Sequence, residues 1–221
     1  DENDLEWVRA WYAARIQVVD SLVGAFIQGV RELGLDRRAI VVVLGSNGFA
    51  LQEHGDLFGE SLYPPVTHVP MMIRLPGAAE IRNISKIVEV VDLMPTILEL
   101  TGQEPPAGIQ GKSLLSILDG GGTPPYVAFA ESPQSGGQRM VALGGMAMVS
   151  GVDGEGAELF DLASDPMATQ DVAATQSGKL EVMTRHLQAW EKMVAVASLD
   201  PQLRAEEELD EDTLKQLKSL G

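Results

Sequence analysis

There is no cysteine among these 221 residues. Disulfides, thiolate nucleophiles and cysteine-ligated zinc are thereby excluded, while the compartment stays open. Positive charge is scarce as well: 16 Lys and Arg stand against 32 Asp and Glu, a formal net charge of −16. Nucleic acid and anionic membrane surfaces both attract basic patches, so neither is expected as a partner. No apolar run approaches the length of a membrane span. No signal peptide is visible, and a start at Asp1 instead of Met fits removal of a signal or of a whole N-terminal portion. The excess acid gathers at the ends, in Asp1, Glu2 and Asp4 and in residues 206–212. Runs of that kind are usually solvated faces or tails and not metal traps.

What is present is enough for an ordinary domain with a real core. The organising stretch is Ala39-Ile40-Val41-Val42-Val43-Leu44-Gly45-Ser46-Asn47-Gly48-Phe49. An unbroken apolar, mostly β-branched run that stops at turn residues predicts a strand buried on both faces, as in parallel sheets. Ligands bind in such sheets at the loop leaving the strand's carboxyl end, which places Ser46 and Asn47 at a candidate site.

Ahead of it, residues 5–33 carry apolar positions at helical spacing, among them Val8, Trp11, Tyr12, Ile16, Val19, Leu22, Phe26 and Val30. This predicts a helix whose stripe faces a core, with Gly34 just past its end. The loop 45–67 is long enough to be functional or mobile. His68 to Arg74 predicts a second buried strand, parallel to the first. Asp92 and Pro95 open a helix that Gly102 closes. After Gly120-Gly121-Gly122 the pattern changes to strands at 126–130, 139–150 and 157–162, with Asp153-Gly154 as a turn signal. Residues 177–197 predict an amphipathic helix with Leu180, Met183, Leu187, Trp190 and Val194 on one side. Residues 198–221 are acidic and end in a short helix at Leu214, Leu217 and Leu220.

Read together, Gly45-Ser46-Asn47-Gly48, Glu53-His54-Gly55, His68-Val69-Pro70, Asp92-Leu93-Met94-Pro95-Thr96 and Gln110-Gly111-Lys112-Ser113 fall in a specific order and spacing. In that order they resemble the C-terminal half of a sulfatase, in the alkaline phosphatase superfamily, over about residues 10–195. The resemblance implies an α/β fold, a sulfatase-like sheet flanked by helices with a small C-terminal antiparallel sheet and helix. In domain terms, residues 1–122 would be part of the α/β core, 123–197 the small sheet plus helix, and 198–221 an acidic tail. It also implies a periplasmic or extracellular setting.

Enzymes of this kind attack a tetrahedral sulfur or phosphorus centre with a nucleophile lying on a divalent metal, which acts as Lewis acid. Part of the metal cage is a Ser-Asp-Asn-Gly or Ser-Asp-His-Gly sequence in the family. Here Asn47 retains a carbonyl oxygen, but Ser46 replaces the carboxylate, and ligand charge is a main control on calcium affinity. Phe49 stands where an acid often follows. Glu60 lies where a cation usually meets the substrate's anionic oxygens, and would repel an ester anion. His54 keeps its place and is the candidate catalytic residue, in a vestigial role, while His68 reads as structural. No Cys-x-Pro-x-Arg or Ser-x-Pro-x-Arg nucleophile motif is present.

Three functions remain open. The favoured one is a sulfatase-like domain, catalytically inactive as it stands, that binds or scaffolds. The second is the C-terminal half of an active sulfuric- or phosphoric-ester hydrolase whose nucleophile lies in an N-terminal half. The third is a structural or assembly module. No cofactor is expected at Ser46 and Asn47 as they stand; calcium or another divalent metal is implied if the family site is functional. The expected partner is another protein or a remaining N-terminal half.

Overall fold

The computed structural model describes residues 2–78, 81–121, 126–134 and 137–199. The expected acidic tail and terminal helix lie outside these residues. Helix α1 runs Glu2–Glu32 and gives way to Gly34, whose φ of 67° is the left-handed value that glycine tolerates at a helix end. Strand β1 (Val41–Leu44) follows, then the short helix α2 (Pro64–Thr67) and strand β2 (Met71–Arg74).

The strands β1 and β2 pair antiparallel, Val41 opposite Arg74 and Leu44 opposite Met71, which corrects the expected parallel arrangement. Nor is β1 buried on both faces; all four of its residues are half-buried. A Val-rich run reports only that a strand wants cover, not which neighbour supplies it. Among the described residues this sheet has two strands, and each keeps one open edge. The expectation that the α1 stripe faces a core also fails: Trp11, Ile16, Val19, Leu22 and Phe26 are exposed. Size explains this. A helix of 31 residues is about 46 Å long, whereas a four-residue strand spans about 13 Å, so most of α1 has no sheet beneath it.

The C-terminal part forms a four-stranded antiparallel meander, β3 (Val127–Ser132), β4 (Gln138–Leu143), β5 (Met146–Gly151) and β6 (Glu158–Asp161). The single strand expected over 139–150 is thus two. Leu143 pairs with Met146 across Gly144 and Gly145, whose φ values of 58° and 83° suit a two-residue hairpin that needs positive φ at both positions. Helix α5 (Ser177–Leu199) covers one face, where Met183 and Leu187 pack on Val141, Met148 and Leu159. The rings of Trp190 and Phe129 stack there at 5.3 Å. On the other face, Leu62 from the loop before α2 packs among Ala128, Met140, Ala142 and Val149. This loop is therefore fastened to the meander.

Helix α3 (Leu93–Leu100), opened by a tight turn at Val90–Asp92, and the short helix α4 (Leu115–Leu118) are joined through two buried side chains. One carboxylate oxygen of Asp92 accepts the Lys112 N–H at 2.7 Å; the other accepts the Glu89 N–H at 2.9 Å. Asp92 therefore reaches back to the residue that precedes the turn, closing it from the inside. The Thr96 hydroxyl donates to the Asp92 carbonyl at 2.6 Å and accepts the Leu114 N–H at 2.9 Å. Gly111 is needed for the approach, since a Cβ there would lie 2.4 Å from the Val91 carbonyl oxygen. Glu89 extends the network to β3 by accepting the Phe129 N–H at 2.8 Å.

Thr96→Val keeps the shape of the side chain and strands the Leu114 N–H in the interior. Urea denaturation should show a loss of about 1–3 kcal/mol, the range for an unpaired buried donor.

Glu89 gives a second expectation with a definite sign. Burial pushes its carboxyl above the ordinary value of 4.5, and the neighbouring Asp92 carboxylate adds to this against the Phe129 N–H and Lys112. A carboxyl that titrates higher in the folded chain holds its proton more tightly there. Its contribution to stability therefore falls as pH rises from 4.5 through the folded value, and the penalty is fully present at neutral pH. Glu89→Gln keeps an oxygen for the Phe129 N–H and removes the charge. The variant should melt at a higher temperature than the parent at neutral pH, with the gap closing as pH falls toward 4.5.

Candidate functional site

The candidate site begins where β1 stops. Gly45 continues the pairing by donating its N–H to the Pro70 carbonyl at 2.9 Å. Ser46 and Asn47 then leave the sheet exposed to solvent. Gly48 and Phe49 turn the chain onto α2, their N–H groups meeting the carbonyls of Val66 and Pro65 at 2.7 and 3.1 Å. No side chain fits at Gly48, because a Cβ there would lie 2.0 Å from the Pro65 oxygen. This close approach holds the two polar residues at a fixed place beside the strand end.

The loop that follows is folded and well bonded. Leu51 bridges to Leu57, the Phe58 N–H reaches the Ala50 carbonyl at 3.2 Å, and Ala50 is buried. Gln52, His54 and Phe58 all have positive φ, at 80°, 54° and 82°. Non-glycine residues in that region carry strain of order 1 kcal/mol each and gather at functional sites. Asp56 closes the next turn by accepting the Ser61 N–H at 2.8 Å. Burial opposes its ionisation, but hydrogen bonds from Ser61 and the backbone of residues 59–60 hold its carboxyl below the usual range. Gly59 comes against Gly48, a Cβ there lying 3.2 Å from the Gly48 oxygen. The turn that carries Glu60 is thus laid beside the segment that carries Ser46 and Asn47. Glu60 itself is exposed, and its carbonyl accepts the Ser132 hydroxyl at 3.0 Å.

His54 is occupied elsewhere. Its ring stacks on Tyr63 with centroids 3.8 Å apart and planes within 6°, and its Nε2 lies 2.9 Å from the Met167 carbonyl. Phe160 meets both rings edge-on. The Tyr63 hydroxyl donates to Glu158. Burial first, and then the Glu158 carboxylate, push the phenol above its ordinary value, so it remains a donor. His54, Tyr63, Phe160 and Glu158 together brace the loop against the C-terminal meander. Among the described residues no hydrogen bond or ring contact joins His54 to Ser46 or Asn47.

Ser46 and Asn47 are joined to one another. The Ser46 hydroxyl donates to Asn47 Oδ1 at 3.0 Å, and Asn47 Nδ2 donates to the Gly48 carbonyl at 2.8 Å. Two neutral oxygens are the ligands this segment offers. Phe49 covers its inner side, stacked on Tyr12 at 5.3 Å and edge-on to Phe58 at 5.4 Å. Sequence reasoning named Ser46, Asn47, Phe49, Glu60 and His54 but missed this aromatic row and the His54–Tyr63–Glu158 brace. Their partners are up to 113 residues apart along the chain, and no local pattern signals such contacts.

Residues 4–103 match the sulfatase family model. Arylsulfatase K of Xenopus laevis is 30% identical over 202 residues, covering 85% of this chain and 38% of that protein. The mouse arylsulfatase K is 27% identical over 185 residues, 78% of this chain and 34% of that one. Among solved structures, BT4656 in complex with D-glucosamine-2-N,6-O-disulfate aligns with a TM-score of 0.68 at 22% identity, over 86% of this chain and 41% of that one. The phosphonate monoester hydrolase of Agrobacterium radiobacter aligns with a TM-score of 0.62 at 24% identity, over 88% and 42%. The chain carries a sulfatase-family domain, of the alkaline phosphatase superfamily. Its fold is mixed α/β with antiparallel sheets and is shared with solved sulfatases. It spans less than half the length of the relatives it matches.

The family typically binds calcium. Calcium takes roughly six to eight oxygens, with carboxylates among them. Ser46 and Asn47 do not by themselves fit that requirement, and among the described residues no three His, Asp or Glu side chains converge on one point. Calorimetric titration of this chain with calcium, magnesium and manganese should therefore give no binding tighter than roughly millimolar. A micromolar site abolished by Asn47→Ala would overturn that expectation.

Proposed function

We propose that this chain is a sulfatase-family domain that binds or scaffolds and does not hydrolyse esters as it stands. One observation carries the reading. At the end of β1, where the family motif has a carboxylate, stands the Ser46 hydroxyl, and its hydrogen bond goes to Asn47. A neutral hydroxyl offsets none of a dication's charge. Two neighbours act in the same direction: Glu60 is anionic where an ester anion would have to sit, and the His54 ring is held between Tyr63 and the Met167 carbonyl. The supports of the loop are meanwhile complete. That combination suits a surface kept for its shape.

The second reading is the C-terminal portion of an active sulfuric- or phosphoric-ester hydrolase. It is favoured by the retained Asn47 and by likeness to arylsulfatase K over 85% of this chain. In that case the nucleophile and the metal carboxylates would come from sequence outside these residues, and the metal would serve as Lewis acid. This chain's part would be to present the Asn47 oxygen and to hold the loop at Gly48 and Gly59.

Ser46→Asp separates the two. The new carboxylate restores one ligand, so calcium should bind more tightly than to the parent. Turnover of an aryl sulfate or aryl phosphate should stay at background, because no nucleophile is added and no cation replaces Glu60. Rate in such reactions comes mostly from stabilising charge in the transition state, and a part-built cage contributes little of it. The assay uses the full gene product. Turnover by the unmodified protein, lost in His54→Ala, would establish the hydrolase reading in place of the first.

A further inference from the structure

Helix α5 does not close on the meander along its whole length. Met146, Met148 and Ser150 alternate along β5, so all three point toward the face that α5 covers, where Met148 packs with Leu187. Beyond this contact a cleft of about 100 Å³ remains between strand and helix. Ser150 and Val152 line it from the strand side, Thr184 and Glu191 from α5, and Asp153 from the exposed turn that follows β5. Ser150 is 3% exposed, yet its hydroxyl has no hydrogen-bond partner among the described residues. The cleft's other hydroxyl is spent, since Thr184 Oγ1 donates to the Leu180 carbonyl at 2.9 Å. The two acids are each held through one oxygen. Glu191 Oε1 accepts from Arg139 at 2.7 Å, and Asp153 Oδ1 accepts the Glu155 N–H at 3.0 Å. Arg139 stands directly across from Ser150 in the sheet, but its guanidinium is turned to Glu131, Glu191 and the Val152 carbonyl.

We propose that this cleft binds a short primary alkylammonium group, with the Ser150 hydroxyl and the Asp153 and Glu191 carboxylates accepting its N–H bonds. Two carboxylates turn away an anion. An apolar guest would leave the Ser150 hydroxyl unpaired in the interior, where such a group is costly. A buried water needs about two to four polar partners, and much of the wall here is apolar: Met148, Leu187, Val152 and Ala157. A primary ammonium is all donor, and the methylenes behind it suit those walls. The net charge of −16 draws such cations to the chain. A free amine and a lysine side chain presented by another protein offer the same group. The cleft shares no residue with the loop after β1, so its ligand is independent of whether that loop takes part in hydrolysis.

The test is an NMR titration of the full chain at constant ionic strength, following the Met148 methyl and the amides of Ser150 and Asp153. The probes are n-propylammonium chloride, the peptide acetyl-Gly-Lys-Gly-amide, and n-propanol as a neutral control of the same shape. At least one ammonium probe should give saturable shifts, and propanol should give none. Ser150→Ala should weaken binding by about tenfold or more, as for the loss of a hydrogen bond to a charged group. The same substitution removes an unpaired buried hydroxyl, so the free chain should melt at the same temperature or higher. Asp153→Asn keeps an oxygen for the Glu155 N–H and removes the charge. It should weaken binding with the melting temperature unchanged. Saturation by propylammonium alone assigns the cleft to a free amine, saturation by the peptide alone to a lysine side chain of another protein, and saturation by both to either source. No shift, equal shifts with propanol, shifts that never saturate, or binding indifferent to either substitution would overturn the proposal. So would a fall in melting temperature in Ser150→Ala, which would show the hydroxyl already satisfied by water.

Discussion

The buried carboxylate of Asp92 is the constraint on which the middle of the chain depends. Four backbone or hydroxyl donors near it would otherwise be stranded: the N–H groups of Glu89, Lys112 and Leu114, and the Thr96 hydroxyl. Asp92 and Thr96 satisfy all four while both are nearly inaccessible to solvent. Burying a polar group without a partner costs more than the pair usually gains, so such a knot is more effective at excluding alternatives than at adding stability. It sets where α3 begins, brings Lys112 and Leu114 back onto it, and through Glu89 reaches β3. Gly111 belongs to the same knot, since a larger residue would push the two strands of chain apart.

Much of this was legible in the sequence wherever the cause is local. Helix α1, its glycine stop, β1, α3, the apolar side of α5 and the Asp153-Gly154 turn all follow from periodicity, breakers and caps. Asp92 was read as opening a helix, and it does stand at the start of α3, but its carboxylate caps no N–H of that helix. Its bonds to Lys112 and, through Thr96, to Leu114 were not readable, because 18 to 20 residues separate the partners. Gly144-Gly145 was a hairpin signal in plain sight, masked by apolar residues of the same character on both sides. The orientation of β1 and β2 failed for a different reason. A buried-looking run specifies cover on two faces, but the direction of the neighbour depends on connections that periodicity does not record.

At the candidate site the sequence offers residues and the folded chain gives their geometry. Ser46, Asn47, Phe49 and Glu60 were found by setting the motif against the chemistry a metal-bound nucleophile needs. What the folded chain adds is direction. His54 takes part in the brace to the meander, with its ring on Tyr63 and its nitrogen at Met167, although it sits in the motif where a catalytic residue was expected. Three non-glycine residues with positive φ in one short loop mark strain that no propensity scale would have placed there. Strain of that sort persists only where surrounding contacts over-determine the backbone. The Gly48–Pro65 and Leu51–Leu57 contacts and the buried Ala50 provide that here.

These supports explain how such a loop can keep its course when an exposed side chain on it is exchanged. Part of what shapes it is contact between backbone groups, or between a backbone group and a glycine: Gly48 on Pro65, Phe49 on Pro65, Phe58 on Ala50, Gly59 on Gly48. These backbone contacts do not pass through the exposed side chain of Ser46, whereas Asn47 adds a bond of its own from Nδ2 to the Gly48 carbonyl. Surface substitutions away from packed or capped positions usually alter stability little. An acid could therefore become a serine, or a cation a glutamate, with the loop's path unchanged. The charge of such a site rests on exposed side chains, whereas much of its shape rests on contacts between backbone groups.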